Sequence, residues 1–181
     1  MRFQAQKMKE LVLYIAQAQK DDETFGRVKL AKLLYFCDFE AYGNLGASIT
    51  GADYQKLPWG PGARQFLAMK GELLASGEAD EASVDAYGYT QGRLVAHRPA
   101  DTSLFTHDEL LLVDKIVASY EGVTGTDISN ESHNEMGWRV ARERERIPYE
   151  AVFIAPEVPA SVLDRARELS VQYGWAASYV F

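Results

Sequence analysis

Hydrophobic residues recur at intervals of three and four positions along the first part of the chain. The first such stripe is formed by Met8, Leu11, Val12 and Ile15. This spacing predicts an amphipathic helix over about 4–19. A second helix is predicted over about 27–42, ended by Gly43 and Gly46. Apolar side chains surround most of this second helix, so we expect it to be the buried central helix of the fold.

Weaker and more varied signals follow the second helix. Residues 47–62 are rich in Gly and Pro and predict a loop, with Pro61 at the start of a third helix that ends near Gly77. Thr106 and Glu109 have the spacing of a capping box. This pair therefore predicts the beginning of another helix.

Period-two alternation over 83–97 predicts a β-hairpin with its turn at 90–92. Residues 126–146 predict either a short polar helix and a turn or a longer bent helix, and 160–174 predict a final amphipathic helix. The fold class predicted is therefore mainly α, a compact helical domain around a buried central helix with one small antiparallel β-hairpin. We expect one domain over 1–181.

Composition restricts the classes of function. The chain has 181 residues and a net charge of −7, which argues against a general nucleic-acid binder because phosphate contacts need clustered Lys and Arg. The basic run at 139–146 is interleaved with Glu and predicts a solvated helix face.

Cys37 is the only cysteine in the sequence, and we expect it to be a small buried hydrophobic residue rather than part of a disulfide. Without a membrane-spanning run or a signal sequence, we expect a cytoplasmic protein.

Catalytic and metal-binding motifs are absent from the sequence. The three histidines, His97, His107 and His133, do not have the spacing of a metal site. The sequence has no P-loop, no GxGxxG and no GxSxG. We therefore expect no metal, no cofactor and no enzymatic activity. The alternative left open is a hydrolase whose polar groups meet only in the fold.

Three short motifs occur in order along the chain. The first, "KLAKLLYFCD", begins at Lys29. The second consists of Gly51, Tyr54 three positions later, and "WGP" at 59–61. The third, "ISNESHNEMGW", lies at 128–138. With these motifs the chain resembles the Panacea domain, the family of SocA-like antitoxins. The matching residues are Lys29, Leu30, Lys32, Leu33, Leu34, Tyr35, Asp38, Thr50, Gly51, Tyr54, Trp59, Gly60, Pro61, Ile128, Ser129, His133 and Trp138.

The resemblance implies a mostly helical antitoxin that binds and neutralises a cognate protein toxin encoded nearby. The alternative is a phage or mobile-element adaptor that binds other host proteins. The aromatic tail at 175–181 either packs on the core or supports self-association, because its apolar surface is costly to leave in water.

Eight residues of the motifs are candidates for partner binding or for a structural signature. They are Tyr35, Asp38, Tyr54, Trp59, Gly60, Pro61, His133 and Trp138. Tyr35 and Asp38 share a helix face and predict either a satisfied buried hydroxyl or a polar niche at the partner. Trp59 either pins its loop to the core or is an exposed anchor. We further hypothesise that His133 joins Tyr35 and Asp38 in one internal hydrogen-bond network.

Overall fold

The computed structural model describes residues 2–86 and 89–154, together with residues 165, 168–169 and 171–172. In this part of the chain the α-helices are α1 Ala5–Ala18, α2 Arg27–Leu45, α3 Phe66–Ala75, α4 His107–Ser119, α5 Gly125–Ser132 and α6 Met136–Val140. The strands are β1 Tyr54–Leu57, β2 Gly60–Ala63, β3 Ala79–Ala86, β4 Tyr89–Ala96 and β5 Arg146–Ile147. Short 3-10 helices lie at Thr102–Leu104 and Tyr149–Phe153. The predicted mainly helical fold is confirmed.

Helix α2 contacts at least six other elements of the fold. It packs against α1, α4, α5, β2, β4 and the 3-10 helix Tyr149–Phe153. Cys37 is fully buried within it, as its apolar surroundings predict. The helix continues through Gly43 and ends at Gly46, whose φ of 80° is the left-handed conformation that suits a glycine cap. Of the 19 residues of α2, 11 are buried.

A buried ion pair fixes the start of α2. Lys29 and Asp22 are 2.5 Å apart, and their side chains are 0% and 4% exposed. Asp22 also accepts hydrogen bonds from Thr24 and from the backbone N–H of Gly122. Burial alone would raise the pKa of Asp22, but the hydrogen bond from Lys29, followed by those from Thr24 and Gly122, lowers it to about 2. One carboxylate therefore joins the α1–α2 connection to the segment after α4.

The predicted loop at 47–62 instead contains two strands. β1 pairs with β2 and with β5, so a three-stranded antiparallel sheet forms in addition to the hairpin that the sequence predicts. Pro61 lies in β2, and α3 begins only at Phe66, so the placement of Pro61 at a helix start is wrong. Four-residue strands rich in Gly and Pro carry too little alternation to be distinguished from a loop.

Strands β3 and β4 pair over their whole length. The register places Ser83 opposite Gly92 and Ala86 opposite Tyr89, so the connection lies between residues 86 and 89. The predicted turn at 90–92 is therefore wrong. Gly92 instead allows close approach within the hairpin, since a Cβ there would lie 2.5 Å from an oxygen of Glu81.

The later segments match their predictions in part. Thr106 and Glu109 form the predicted capping box at the start of α4. Of the two alternatives for 126–146, the structure has short helices separated by a turn. The basic run at 139–146 is not a helix face, because α6 ends at Val140 and the exposed residues beyond it lead into β5.

The C-terminal predictions fall largely outside the described residues. Residues 165, 168–169 and 171–172 are helical, whereas the aromatic tail at 175–181 is not described. None of the helices in the described ranges combines the length and the apolar character that crossing a membrane requires.

Candidate functional site

Trp59 lies at the tip of the hairpin formed by β1 and β2. Its side chain is 76% exposed, so it does not pin the hairpin to the core. Pro58 precedes it in the turn, and Gly60 follows it as the first residue of β2. The rigid φ of proline and the pairing of Leu57 with Gly60 hold the turn in one shape. The indole is therefore presented to solvent on a fixed backbone.

Three side chains donate hydrogen bonds to alternate carbonyl groups of this hairpin. Trp138 Nε1 donates to the Leu57 carbonyl at 3.0 Å, and Ser129 Oγ donates to the Trp59 carbonyl at 2.7 Å. Lys32 Nζ donates to the Pro61 carbonyl at 2.8 Å.

The three donors come from α6, α5 and α2, so three separate segments of the chain hold the hairpin. Lys32, Ser129 and Trp138 are all residues of the motifs. The motifs thus combine to position the turn that carries Trp59.

Gly60 allows the hairpin to pack directly on these helices. Its φ is +92°, which favours glycine, and the residue is buried. A Cβ at this position would collide with Ser132 Oγ and lie 2.7 Å from Lys32 Nζ. A side chain at residue 60 would therefore separate the hairpin from α2 and α5.

Lys32 is an unusual component of the site because its ammonium is buried. The residue is 4% exposed, and its described hydrogen bond goes to the neutral Pro61 carbonyl. No carboxylate of the described residues forms an ion pair with it, in contrast to Lys29 three positions earlier. Burial lowers the pKa of Lys32 to about 8. Within the described ranges, Lys32 is thus a buried cation beside the hairpin without an ion-pair partner.

Aromatic and cationic groups form the other side of the hairpin. His133 stacks on Trp138 with ring centroids 4.1 Å apart, and Lys56 Nζ lies 4.3 Å from the centre of the Trp138 ring. Burial, followed by the charges of Lys32 and Lys56, lowers the pKa of His133. His133 Nε2 is buried without a hydrogen-bond partner in the described structure. His133 therefore acts here as a neutral ring that packs on Trp138, the residue that donates to the hairpin.

Asp38 and Tyr54 form a separate cluster within the core. Asp38 accepts hydrogen bonds from the Thr50 N–H at 2.7 Å and from its hydroxyl at 2.5 Å. The Tyr54 hydroxyl lies 2.8 Å from Asp38, and the Tyr35 ring contacts the Tyr54 ring at 5.4 Å. Burial raises the pKa of Asp38 to about 6 despite these hydrogen bonds. This cluster fixes the segment before β1 to α2.

The motif residues therefore form two clusters rather than the single network that we hypothesised. Asp38 bonds to Thr50 and Tyr54, whereas the described contact of His133 is its stack on Trp138. Tyr35 is 1% exposed and Asp38 is fully buried. Neither residue is placed to meet a partner directly in this conformation. Of the eight candidates, Trp59 is the one whose side chain is largely exposed.

Two grooves adjoin at Trp59. The hairpin groove, of about 410 Å³, lies between α2, the β1–β2 hairpin and the start of α3. The helix groove, of about 350 Å³, lies between α2, β4 and α5. Arg27, Val28 and Trp59 line both grooves and form the ridge between them. Val28 is 45% exposed, and Leu67 in the hairpin groove is 66% exposed. We call this surface the Trp59 face.

Several residues of the Trp59 face were not among the sequence candidates. They are Arg27, Val28, Lys32, Arg64, Leu67 and Ser129. Lys32 could have been identified from the sequence, because a lysine in a helix that is apolar on most sides is either buried with a partner or lies at the surface of the protein. Val28 and Leu67 carried none, since single exposed apolar residues are common on protein surfaces.

The described residues contain no group of three or more His, Cys, Asp or Glu side chains that could hold a metal ion. What they do provide is an exposed aromatic ring and an apolar groove, with two exposed cationic side chains, Arg27 and Arg64, and the buried Lys32 along the same groove. Such a combination suits the binding of another macromolecule.

Comparison with known proteins gives a family for this chain. A search of curated proteins and a search of solved structures each found no match. A profile described as "Antitoxin SocA-like, Panacea domain" matches residues 30–139, more than half of the chain. The matched range includes residues 30–45 of α2, the hairpin with Trp59, the whole of α5 and residues 136–139 of α6, and so contains all three donors that hold the hairpin. The chain therefore belongs to the family of SocA-like antitoxin Panacea domains.

Proposed function

We propose that this protein is an antitoxin that neutralises a protein toxin by binding it through the Trp59 face. Membership of the antitoxin family supports the class of function. The observation that carries the choice of surface is the 76% exposure of Trp59 on a hairpin whose carbonyls at Leu57, Trp59 and Pro61 are each held by a side chain. An exposed tryptophan on a rigid backbone can be buried by a partner with little further loss of conformational entropy.

Burial of the Trp59 side chain by a partner would contribute enough free energy to matter for binding. A tryptophan buries about 150–250 Å². At about 25 cal/mol per Å² this corresponds to roughly 4–6 kcal/mol of gross hydrophobic stabilisation. Val28 and Leu67, which line the same groove as Trp59, add exposed apolar surface to it. The face therefore has a central aromatic anchor with apolar neighbours, which is the usual composition of a binding hot spot.

Neutralisation by binding needs no catalytic group on the antitoxin. We accordingly assign no reaction to the buried polar groups of the site. Lys32 and Ser129 hold backbone carbonyls, and Asp38 holds the segment before β1. The proposed role of the eight motif residues is to build the surface, with Trp59 as the one that contacts the toxin.

The test is co-expression with the product of the adjacent gene. We expect that product to arrest growth alone, and the wild-type protein to restore growth and to co-purify with it. Trp59→Ser should lose both effects while keeping the wild-type melting temperature. Phe153→Ser is the matched control, because Phe153 is 67% exposed and lies outside both grooves.

Two outcomes would contradict the proposal. If the adjacent product is harmless, or if the wild-type protein does not relieve its toxicity, the antitoxin role fails. If Trp59→Ser neutralises as well as the wild type does, the role stands and the Trp59 face is the wrong surface. Capture of host proteins with no effect on toxicity would favour the adaptor alternative.

A further inference from the structure

The charged residues that line the Trp59 face are all cationic. Arg27 lines both grooves, and Lys32 and Arg64 line the hairpin groove. Among the described residues no Asp or Glu lines either groove. The whole chain, by contrast, carries a net charge of −7. A cationic surface on an acidic protein is selective for an acidic partner, since like charges elsewhere repel that partner from the rest of the molecule.

The buried ammonium of Lys32 indicates what kind of acidic group would fit. Lys29 and Lys32 are both buried in α2, but Lys29 pairs with Asp22 at 2.5 Å, whereas among the described residues Lys32 donates to one neutral carbonyl and to no carboxylate. A buried ammonium without a counter-ion is energetically costly, and a carboxylate brought by a partner would offset that cost. The hairpin groove is where such a carboxylate would enter, because Lys32 lines it.

The remaining lining of the hairpin groove is largely apolar. It includes Ala31, Leu57, Phe66 and Leu67. A phosphate backbone or a free small anion would gain little from these side chains. A peptide that carries both apolar and carboxylate side chains would satisfy the groove and the cations together.

We infer that the Trp59 face binds a protein segment in which Asp or Glu residues lie next to large apolar residues, with one carboxylate paired to Lys32. This inference rests on the proposed function, in that the segment would belong to the toxin. The apolar side chains of the segment lie in the hairpin groove, and Arg27 and Arg64 contact its other acidic groups. Trp59 covers the segment from the tip of the hairpin.

A phage-displayed library of random peptides tests the inference without the toxin. Peptides selected on the full-length protein are compared for binding to the wild type, to Trp59→Ser and to the double variant Arg27→Glu with Arg64→Glu. Lys115→Glu is the control for charge reversal, because Lys115 lines a different groove between α2 and α4. We expect the Trp59-dependent peptides to combine Asp or Glu with Leu, Ile or Phe.

The double variant should weaken their binding roughly ten-fold or more, and Lys115→Glu should leave it unchanged. Binding should also fall above about pH 8, where Lys32 loses its proton. Trp59-dependent peptides that are basic or uncharged, or a selection without any Trp59-dependent peptide, would overturn the inference.

The two proposals fail in distinguishable ways. If co-expression relieves toxicity but the double variant neutralises as well as the wild type does, the antitoxin role stands and the acidic segment is wrong. If the library yields acidic and apolar peptides but the adjacent product is not neutralised, the recognition chemistry stands and the antitoxin role is wrong.

Discussion

Lys32 Nζ donates a hydrogen bond of 2.8 Å to the carbonyl oxygen of Pro61, and this contact joins the buried face of α2 to the strand behind Trp59. The two residues are 29 positions apart. Their contact explains why two motifs that look like ordinary helix and ordinary turn occur together. The helix supplies a donor for the hairpin, and the hairpin allows the donor to stay buried. The exposed indole is held in place by this interaction and by the bonds from Ser129 and Trp138.

Gly60→Ala should destabilise the protein by more than the strain of an alanine in the left-handed backbone conformation alone. An alanine at φ +92° is strained by about 1–2 kcal/mol, and its Cβ would also collide with Ser132 and crowd Lys32. We expect a loss of roughly 3 kcal/mol or more in the free energy of unfolding, measured by urea denaturation. Gly77→Ala is the matched control, because Gly77 has φ +71° and open space around it.

Gly77→Ala should cost only the backbone strain, about 1–2 kcal/mol. Equal losses for the two alanine variants would show that the hairpin moves away from α2 and α5 without penalty. In that case the close packing at Gly60 does not determine the position of Trp59.

Asp22→Asn should remove the counter-charge of a buried lysine. Lys29 would then join Lys32 as a buried cation of α2 without an ion pair to any described residue, and breaking such a pair costs about 3–5 kcal/mol. Asp21→Asn is the control, since Asp21 is 91% exposed and pairs with Lys20 at 3.9 Å. We expect thermal unfolding to show a large drop in melting temperature for Asp22→Asn and almost none for Asp21→Asn.

The Asp22 pair also predicts an acid dependence. The folded pKa of Asp22, about 2, lies below its ordinary value of 3.8. Its contribution to stability is therefore complete above the ordinary pKa and is lost as the pH falls through about 2. The difference in stability between the wild type and Asp22→Asn should shrink in that acid range. A constant difference from neutral pH to pH 2 would contradict the assignment.

The sequence predicted helices better than it predicted the site. Met8, Leu11 and Ile15 mark α1 because their spacing is local, and the capping box at Thr106 is local as well. The sheet depends on contacts that are distant in sequence, such as the pairing of Tyr54 with Ile147. Neither β1 nor β5 has enough alternation of apolar and polar residues for the pairing to be predicted from the sequence. This is why 47–62 was predicted as a loop.

The site shows the same division between local and distant information. The motifs identified Trp59, Gly60 and Pro61 as one group, but their exposure could not be read from the chain. Ser129, 70 positions away, holds the carbonyl of Trp59, whereas the ring is exposed. His133 was expected beside Asp38, yet it stacks on Trp138 five positions later, since α5 and α6 are separated by a turn.

The free energy of unfolding of the wild type, compared with that of Lys32→Met, should depend on pH in the alkaline range, and the pKa of Lys32 gives the direction. The folded pKa of Lys32, about 8, lies below its ordinary value of 10.5, so the unfolded chain binds more protons between these values. Stability from this group therefore rises as the pH increases through that window. We expect the stability of the wild type relative to Lys32→Met to increase by about 2 kcal/mol between about pH 7.5 and about pH 10. Urea denaturation of both proteins at several pH values measures this, with Lys20→Met as the variant that removes an exposed lysine. Parallel pH profiles for the wild type and Lys32→Met would show that Lys32 is not held as a buried, unpaired cation, and the argument for a carboxylate from the partner would lose its support.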